Sequence, residues 1–211
     1  MKSRTSTLRN EKGFTLIEMA IVLVIIGLIL GAVIKGKDVL NSAKQKKVYT
    51  NFVKTWELSI ASYYDRTGNL LGDGPTNGGA AAAKNGVFDN IAGNAFGPID
   101  TRLKDVGLEI PVSNTANSGQ YTYTGTYSGS RTITMRLYNL YSHTDLRYRN
   151  ALYLVGMPTD LAIALDTIID GEADPTTGTF RSYPDNAYTT WPDASASATY
   201  IVNTAYTMNV P

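Results

Sequence analysis

The sequence predicts an α+β protein in which a long N-terminal helix, spanning a membrane in its first half, packs on an antiparallel β-sheet. Three observations support this fold class: an apolar run from Phe14 to Ile34, a one-sided aromatic pattern after it, and alternating β-branched and aromatic residues in the C-terminal half. The 211 residues suffice for one globular domain and an appendage. We therefore expect two parts with different surroundings.

The apolar run has the length of a membrane span. Its 21 residues would rise about 31 Å as a helix, close to the roughly 30 Å hydrocarbon core of a bilayer. A cleavable secretory signal is the alternative, but its apolar region runs only about 7 to 15 residues. The segment before the run has a net charge of +3, which favours a cytoplasmic N-terminus, whereas six lysines and one aspartate between Lys35 and Lys54 give +5 and favour the opposite. Charge alone leaves the orientation open.

Glu18 is the one carboxylate within the apolar run. A charged acid in hydrocarbon costs several kcal/mol unless it is neutralised or paired, so it calls for a partner. Cleavage between Gly13 and Phe14 would create an α-amino group four residues upstream, and glycine would let a protease approach the backbone closely. The alternative is an acid that only complements the positive end of the helix dipole, which is worth under about 1 kcal/mol. Pairing explains the position better.

The stretch KGFTLIEMAIVLVIIGLILG resembles the cleavage and methylation signature of type IV prepilins and pseudopilins. The resemblance lies in the basic leader, Gly13, Phe14 and Glu18, and it extends to about residue 66. It implies that an inner-membrane peptidase removes residues 1–13 and methylates the amine of Phe14. It also implies that Glu18 neutralises the amino terminus of an adjacent subunit in a helical filament. The expected parts are a leader at 1–13, a helix at 14–66 with its membrane-spanning and filament-core part at 14–34, and a globular pilin-like domain at 67–211.

The second half of the helix carries an aromatic stripe. Its members recur at helical spacing and predict a face buried on the globular domain: Tyr49, Phe52, Trp56, Ile60 and Tyr63. Gly68 is placed to end the helix. Gly27 and Gly31 allow close helix packing, and since some filaments of this family melt the helix here, local unwinding between Gly27 and Gly36 stays open.

The C-terminal part is predicted to contain a loop, several strands and two short helices. Residues 70–97 are rich in Gly and Asn and predict a long surface connection. A short helix should follow, opened by Pro98 and closed by Gly107. Strands are predicted at QYTYTGTY, RTITMRLYNLY, ALYLVG and the C-terminal ATYIVNTAYTMNV, with a helix at 159–169.

An acidic stretch at the end of that helix is the candidate metal site. The chain has no cysteine, so no disulfide can staple its loops. Four acids crowd a helix C-terminus, where the dipole disfavours negative charge: Asp166, Asp170, Glu172 and Asp174. Structural calcium would suit these oxygens, and the resemblance to pseudopilins points the same way. A solvated acidic turn is the alternative.

Composition excludes several function classes. The single histidine, His143, has no catalytic motif around it, and no thiol is available, so we expect no enzyme. Nothing in the charge distribution indicates specific nucleic-acid binding. Removing residues 1–13 takes away four basic and one acidic residue, leaving 15 against 17, a net −2 that suits a crowded fibre.

Three functions are compatible with these features. The first is a structural subunit of a type IV pilus, a homo-oligomer that resides in the inner membrane as precursor and is drawn by an assembly platform into an extracellular filament for adhesion, motility or surface contact. The second is a pseudopilin forming the short periplasmic pseudopilus of a type II secretion system. The third is a monomeric membrane-anchored domain that keeps its leader and leaves Glu18 unpaired.

Overall fold

The computed structural model describes residues 13–81, 84–143, 145–184 and 187–208. Of the predicted leader it therefore describes only Gly13. The chain divides into two compact units after Ser42. The elements are those of the predicted α+β fold, with one long N-terminal helix and an antiparallel sheet of six strands.

The N-terminal helix is continuous from Leu16 to Thr67. It consists of α1 (Leu16–Val48), a π-helical turn (Tyr49–Val53) and α2 (Lys54–Thr67). Gly68 ends it in a left-handed conformation with φ of 65°, which glycine adopts without steric cost. Both the length of the helix and its C-terminal residue confirm the prediction.

The π-helical turn was not expected from the sequence. Thr50 and Thr55 accompany it: Thr50 Oγ1 donates to Lys46 O at 3.0 Å, and Thr55 Oγ1 donates to Thr50 O at 2.9 Å. Such side-chain bonds to the backbone compete with regular helical bonding. The segment Gly27 to Gly36 is regular α-helix here, so the irregularity lies further along the chain.

The sheet is built around one long hairpin. Its order is β1-β3-β4-β6-β5, with β2 also pairing with β3, and all pairs are antiparallel. The strands are β1 (Asp89–Ala92), β2 (Gln120–Gly125), β3 (Gly129–Ser142), β4 (Arg147–Pro158), β5 (Phe180–Ser182) and β6 (Ile201–Thr207). Strands β2, β3, β4 and β6 were predicted, whereas the short strands β1 and β5 were missed.

The core lies between the aromatic stripe and the inner face of the sheet. Phe52, Trp56 and Ile60 are fully buried, as are Ile133 and Met135 at alternate positions of β3. The Trp56 indole donates to Ser118 O at 3.1 Å. The predicted stripe is thus the helix's contribution to the core, with only Tyr49 half-buried.

The Gly-rich segment after the helix is only in part the surface connection that the sequence predicts: residues 84–86 are exposed, but its first residues are buried. Leu70 and Leu71 are buried, and two carboxylates organise the turns that follow. Asp73 accepts bonds from the amides of residues 85 and 86, and Asp89 accepts bonds from those of Gly74 and residue 81. A side chain at Gly79 would collide with the Asp89 carboxylate. Gly79 therefore serves close backbone packing.

Two short helices complete the fold. α3 (Gly97–Asp105) has Pro98 in its first turn and precedes Gly107, as predicted. α4 (Thr159–Asp170) buries Leu161 and Leu165 in the core and ends at Gly171. The end of α4 places the acidic stretch beside β5.

Candidate assembly and processing site

The N-terminal helix begins with a hydrogen-bonded capping box. Thr15 precedes the first helical residue, and its backbone N–H and hydroxyl both donate to Glu18 Oε2, at 2.7 and 2.8 Å. The backbone N–H of Glu18 donates to Thr15 Oγ1 at 3.3 Å. This is the reciprocal arrangement that Thr-x-x-Glu favours at a helix N-terminus.

Sequence reasoning missed the role of Thr15, although the spacing of Thr15 and Glu18 was visible in the sequence. The Glu18 carboxylate accepts hydrogen bonds from the backbone and the hydroxyl of Thr15 in its own chain. The acid therefore stabilises the first turn of its own helix. Glu18 Oε1 accepts no hydrogen bond within the described residues, and its pairing with an ammonium stays a prediction.

Gly13 and Phe14 form a short exposed segment directly before the capping box. Phe14 is 79% exposed, and a Cβ built at Gly13 meets no atom within 4 Å. Packing inside the described chain therefore does not demand glycine at residue 13. A protease that approaches the backbone closely stays the predicted reason for glycine at this position.

The helix after Glu18 presents an apolar surface on every side. None of the most apolar 18-residue window is buried, and among the described residues this helix is long and apolar enough to cross a membrane. Leu16 is 92% exposed, and Gly27 and Gly31 have open space where a side chain would stand. Burying such a surface is worth roughly 25 cal/mol per Å². By length and composition, the helix fits a membrane anchor.

Two of the four predicted metal ligands are engaged by hydrogen bonds within their own loop. Asp170 accepts bonds from Thr179 N, Thr179 Oγ1 and Phe180 N, at 3.0, 2.7 and 2.8 Å. Asp174 accepts bonds from Thr176 and Thr177, which lower its pKa. These bonds order the loop with the protein's own donors.

Asp166 is the buried member of the acidic stretch, and Glu172 is exposed. Asp166 Oδ2 accepts a bond from Trp191 Nε1 at 2.7 Å, while its Oδ1 has no hydrogen-bond partner in the described part of the chain. Burial raises the pKa of Asp166 to about 6, against the effect of the Trp191 bond. No group of three or more acidic or histidine side chains within the described residues is placed to hold a metal ion, and calcium stays a prediction.

The comparisons with known proteins concern the N-terminus. The family model described as "Prokaryotic N-terminal methylation motif" matches residues 8–34. No curated protein and no solved structure matches the chain. The matched range includes Gly13, Phe14, the capping box and the whole apolar run, and it fits a membrane-anchored precursor. The chain therefore carries the N-terminal prepilin signature shared by type IV pilins and pseudopilins.

Proposed function

We propose that the protein is a structural subunit of a type IV pilus. The observation that carries this proposal is the fully exposed apolar helix that follows an accessible Gly13–Phe14 bond and begins with the carboxylate of Glu18. A helix with this surface cannot stay in water, and a membrane or a bundle of identical helices would bury it. The two environments correspond to a precursor and an assembled filament.

Processing would change the chemistry of the helix start. A prepilin peptidase would cut between Gly13 and Phe14 and methylate the new amine of Phe14, removing a leader of net charge +3. The freed ammonium of one subunit would pair with Glu18 of its neighbour inside the filament core. An ion pair removed from water holds one geometry, because breaking it would leave a buried unpaired charge. Glu18 would thereby set the axial register between subunits.

The globular unit would form the outside of the filament. An inner-membrane assembly platform would extract the precursor, and the sheet, with its Tyr, Thr and Asn side chains, would face the medium for adhesion, motility or surface contact. The methylation motif is typical of structural subunits, which agrees with the expectation that the chain is no enzyme. A pseudopilin shares the same N-terminal features.

Filaments sheared from the cell surface test the proposal. N-terminal sequencing and intact-mass measurement of the main band should give a chain that starts at N-methylated Phe14. An intact Met1 terminus on a membrane-bound monomer would overturn the proposal. A processed chain confined to the periplasm, with loss of protein secretion when its gene is deleted, would indicate the pseudopilin instead.

A further inference from the structure

An open groove crosses the face of the sheet that lies opposite the aromatic stripe. The inward residues Ile133, Met135 and Leu137 alternate along β3 with outward ones, and two of the outward ones line the groove. Its volume is about 330 Å³, within the range of ligand pockets. Its lining consists of Ala92, Asn94, Thr134, Arg136, Tyr153 and Val155.

Strand pairing holds the lining in place. Arg136 lies between Ala92 of β1 and Tyr153 of β4 in the register of the sheet, and Thr134 lies opposite Val155. Neighbouring strands stand about 5 Å apart. The guanidinium, the phenol ring and the hydroxyl are therefore carried by rigid elements, which limits the entropy lost on binding a ligand.

Arg136 differs from two other arginines of this face. Arg149 and Arg181 lie 2.8 and 3.8 Å from the carboxylate of Asp145. Arg136 is half-buried, and within the described residues its guanidinium has no carboxylate within 4.0 Å and no hydrogen bond. A partly desolvated guanidinium without a counter-ion favours an anionic ligand.

Tyr153 provides a fixed ring beside this cation. Its ring centroid lies 5.9 Å from that of Tyr138 and 5.1 Å from that of Tyr183, in tilted and edge-to-face arrangements. Burial raises the pKa of Tyr153, and the nearby Arg136 guanidinium acts in the opposite direction. The phenol and the guanidinium therefore lie within electrostatic reach of each other.

We propose that this groove binds a carboxylate-bearing sugar residue, as found in acidic polysaccharides. The planar fork of Arg136 matches a carboxylate with two parallel hydrogen bonds. The negative face of the Tyr153 ring attracts the polarised C–H groups of a sugar ring. Asn94, Thr134 and the phenol hydroxyl supply donors and acceptors for sugar hydroxyls.

The lining favours a glycan over a protein segment. Protein interfaces rest on large apolar anchors in desolvated pockets, whereas this groove is open and four of its six lining residues carry polar groups. The proposal goes beyond the filament function, since it assigns a ligand to the globular unit alone.

The test is calorimetric titration of the full-length chain in detergent with trigalacturonate, and with maltotriose as the uncharged control. Trigalacturonate should bind saturably, more weakly at higher salt, and at least about tenfold more tightly than maltotriose. Arg136→Gln should weaken the binding of trigalacturonate by a similar factor, and Arg136→Lys should weaken it by less. Tyr153→Phe should keep the aromatic ring but lose the hydroxyl contact. Arg131→Gln is the matched control, because Arg131 lies on β3 outside the groove and donates to Ser128 O. Circular dichroism checks that each variant is folded.

Three results would overturn the proposal: no saturable binding of trigalacturonate, equal binding of maltotriose, or affinity unchanged by Arg136→Gln. Equal or tighter binding of a triglutamate peptide would assign the groove to an acidic protein segment and also overturn it. The titration uses unassembled protein, so its failure would leave the filament proposal intact, and a failure of filament isolation would leave the groove untouched.

Discussion

Thr15 donates two hydrogen bonds, at 2.7 and 2.8 Å, to one carboxylate oxygen of Glu18 at the start of the membrane-spanning helix. The acid that is proposed to join neighbouring subunits thus also caps its own helix. The two roles need different properties, since the cap needs only an acceptor whereas pairing with an ammonium needs a negative charge. Substitutions that keep one property and remove the other separate the roles.

We expect Glu18→Gln to abolish most filament yield although it preserves the cap, because Gln also serves in a capping box but carries no charge. Thr15→Ala should cost about 0.5–2 kcal/mol of helix stability and leave assembly close to wild type. Immunoblots of sheared and membrane fractions measure both. Normal filament yield from Glu18→Gln together with loss in Thr15→Ala would show that capping, and not charge pairing, is what assembly requires.

Gly13→Leu should block cleavage while leaving the fold unchanged. The space around Gly13 is open and its backbone needs no special conformation, so a leucine there disturbs no packing inside the described chain. The measurement is the mass of the membrane-bound protein. Gly13→Ala is the matched control and should be processed at least in part, since a methyl group hinders backbone approach least. Full maturation of the leucine variant would count against a protease that reads this glycine.

Asp166 should make the stability of the globular unit depend on pH. Its pKa is raised from 3.8 to about 6, so the folded state holds a proton that the unfolded state releases. The contribution of Asp166 to stability is therefore greatest below about pH 4, falls as the pH rises to about 6 and then levels off. At 1.36 kcal/mol per pKa unit the loss is at most about 3 kcal/mol.

Urea unfolding of wild type and Asp166→Asn between pH 4 and 8 measures this effect. The amide keeps an acceptor for Trp191 and cannot ionise, so the variant should be the more stable one at pH 8 and lose its advantage near pH 4. The matched control is Asp193→Asn, which removes an acid whose pKa is lowered by its bonds to Ser195. An equal pH profile for wild type and Asp166→Asn would refute the assignment.

Removing calcium with EGTA tests whether a calcium ion or the protein's own hydrogen bonds order the acidic loop. Because Asp170 and Asp174 are already bonded to Thr179, Phe180, Thr176 and Thr177, we expect the same melting temperature in EGTA and in millimolar calcium. A lower melting temperature in EGTA, restored by calcium and not by magnesium, would establish the structural calcium that the acidic spacing suggests.

Asn150 of β4 should stabilise the Gly-rich segment through its side-chain hydrogen bonds. Its side chain accepts bonds from Phe88 N and Asn139 Nδ2 and donates to Gly86 O, at 3.0, 3.1 and 2.9 Å. Asn150→Ala would leave part of these groups unsatisfied, at about 1–3 kcal/mol. Asn139→Ala removes one of the three bonds and should cost less, as judged from thermal unfolding. Equal losses would mean that the bonds to residues 86 and 88 contribute nothing.

The sequence by itself determined the helix, the membrane-length apolar run, the candidate cleavage bond and the buried aromatic stripe, because each rests on local periodicity or on a local motif. Tertiary structure decided the rest. Part of the Gly-rich segment is buried: Asp73 and Asp89 bond to backbone groups within it, and Asn150, more than 60 residues away, bonds to residues 86 and 88. Strands β1 and β5 form only because longer strands offer them an edge, and Arg136 meets Tyr153 only through the register of β3 and β4. Such contacts join residues far apart in the chain, and no local pattern records them.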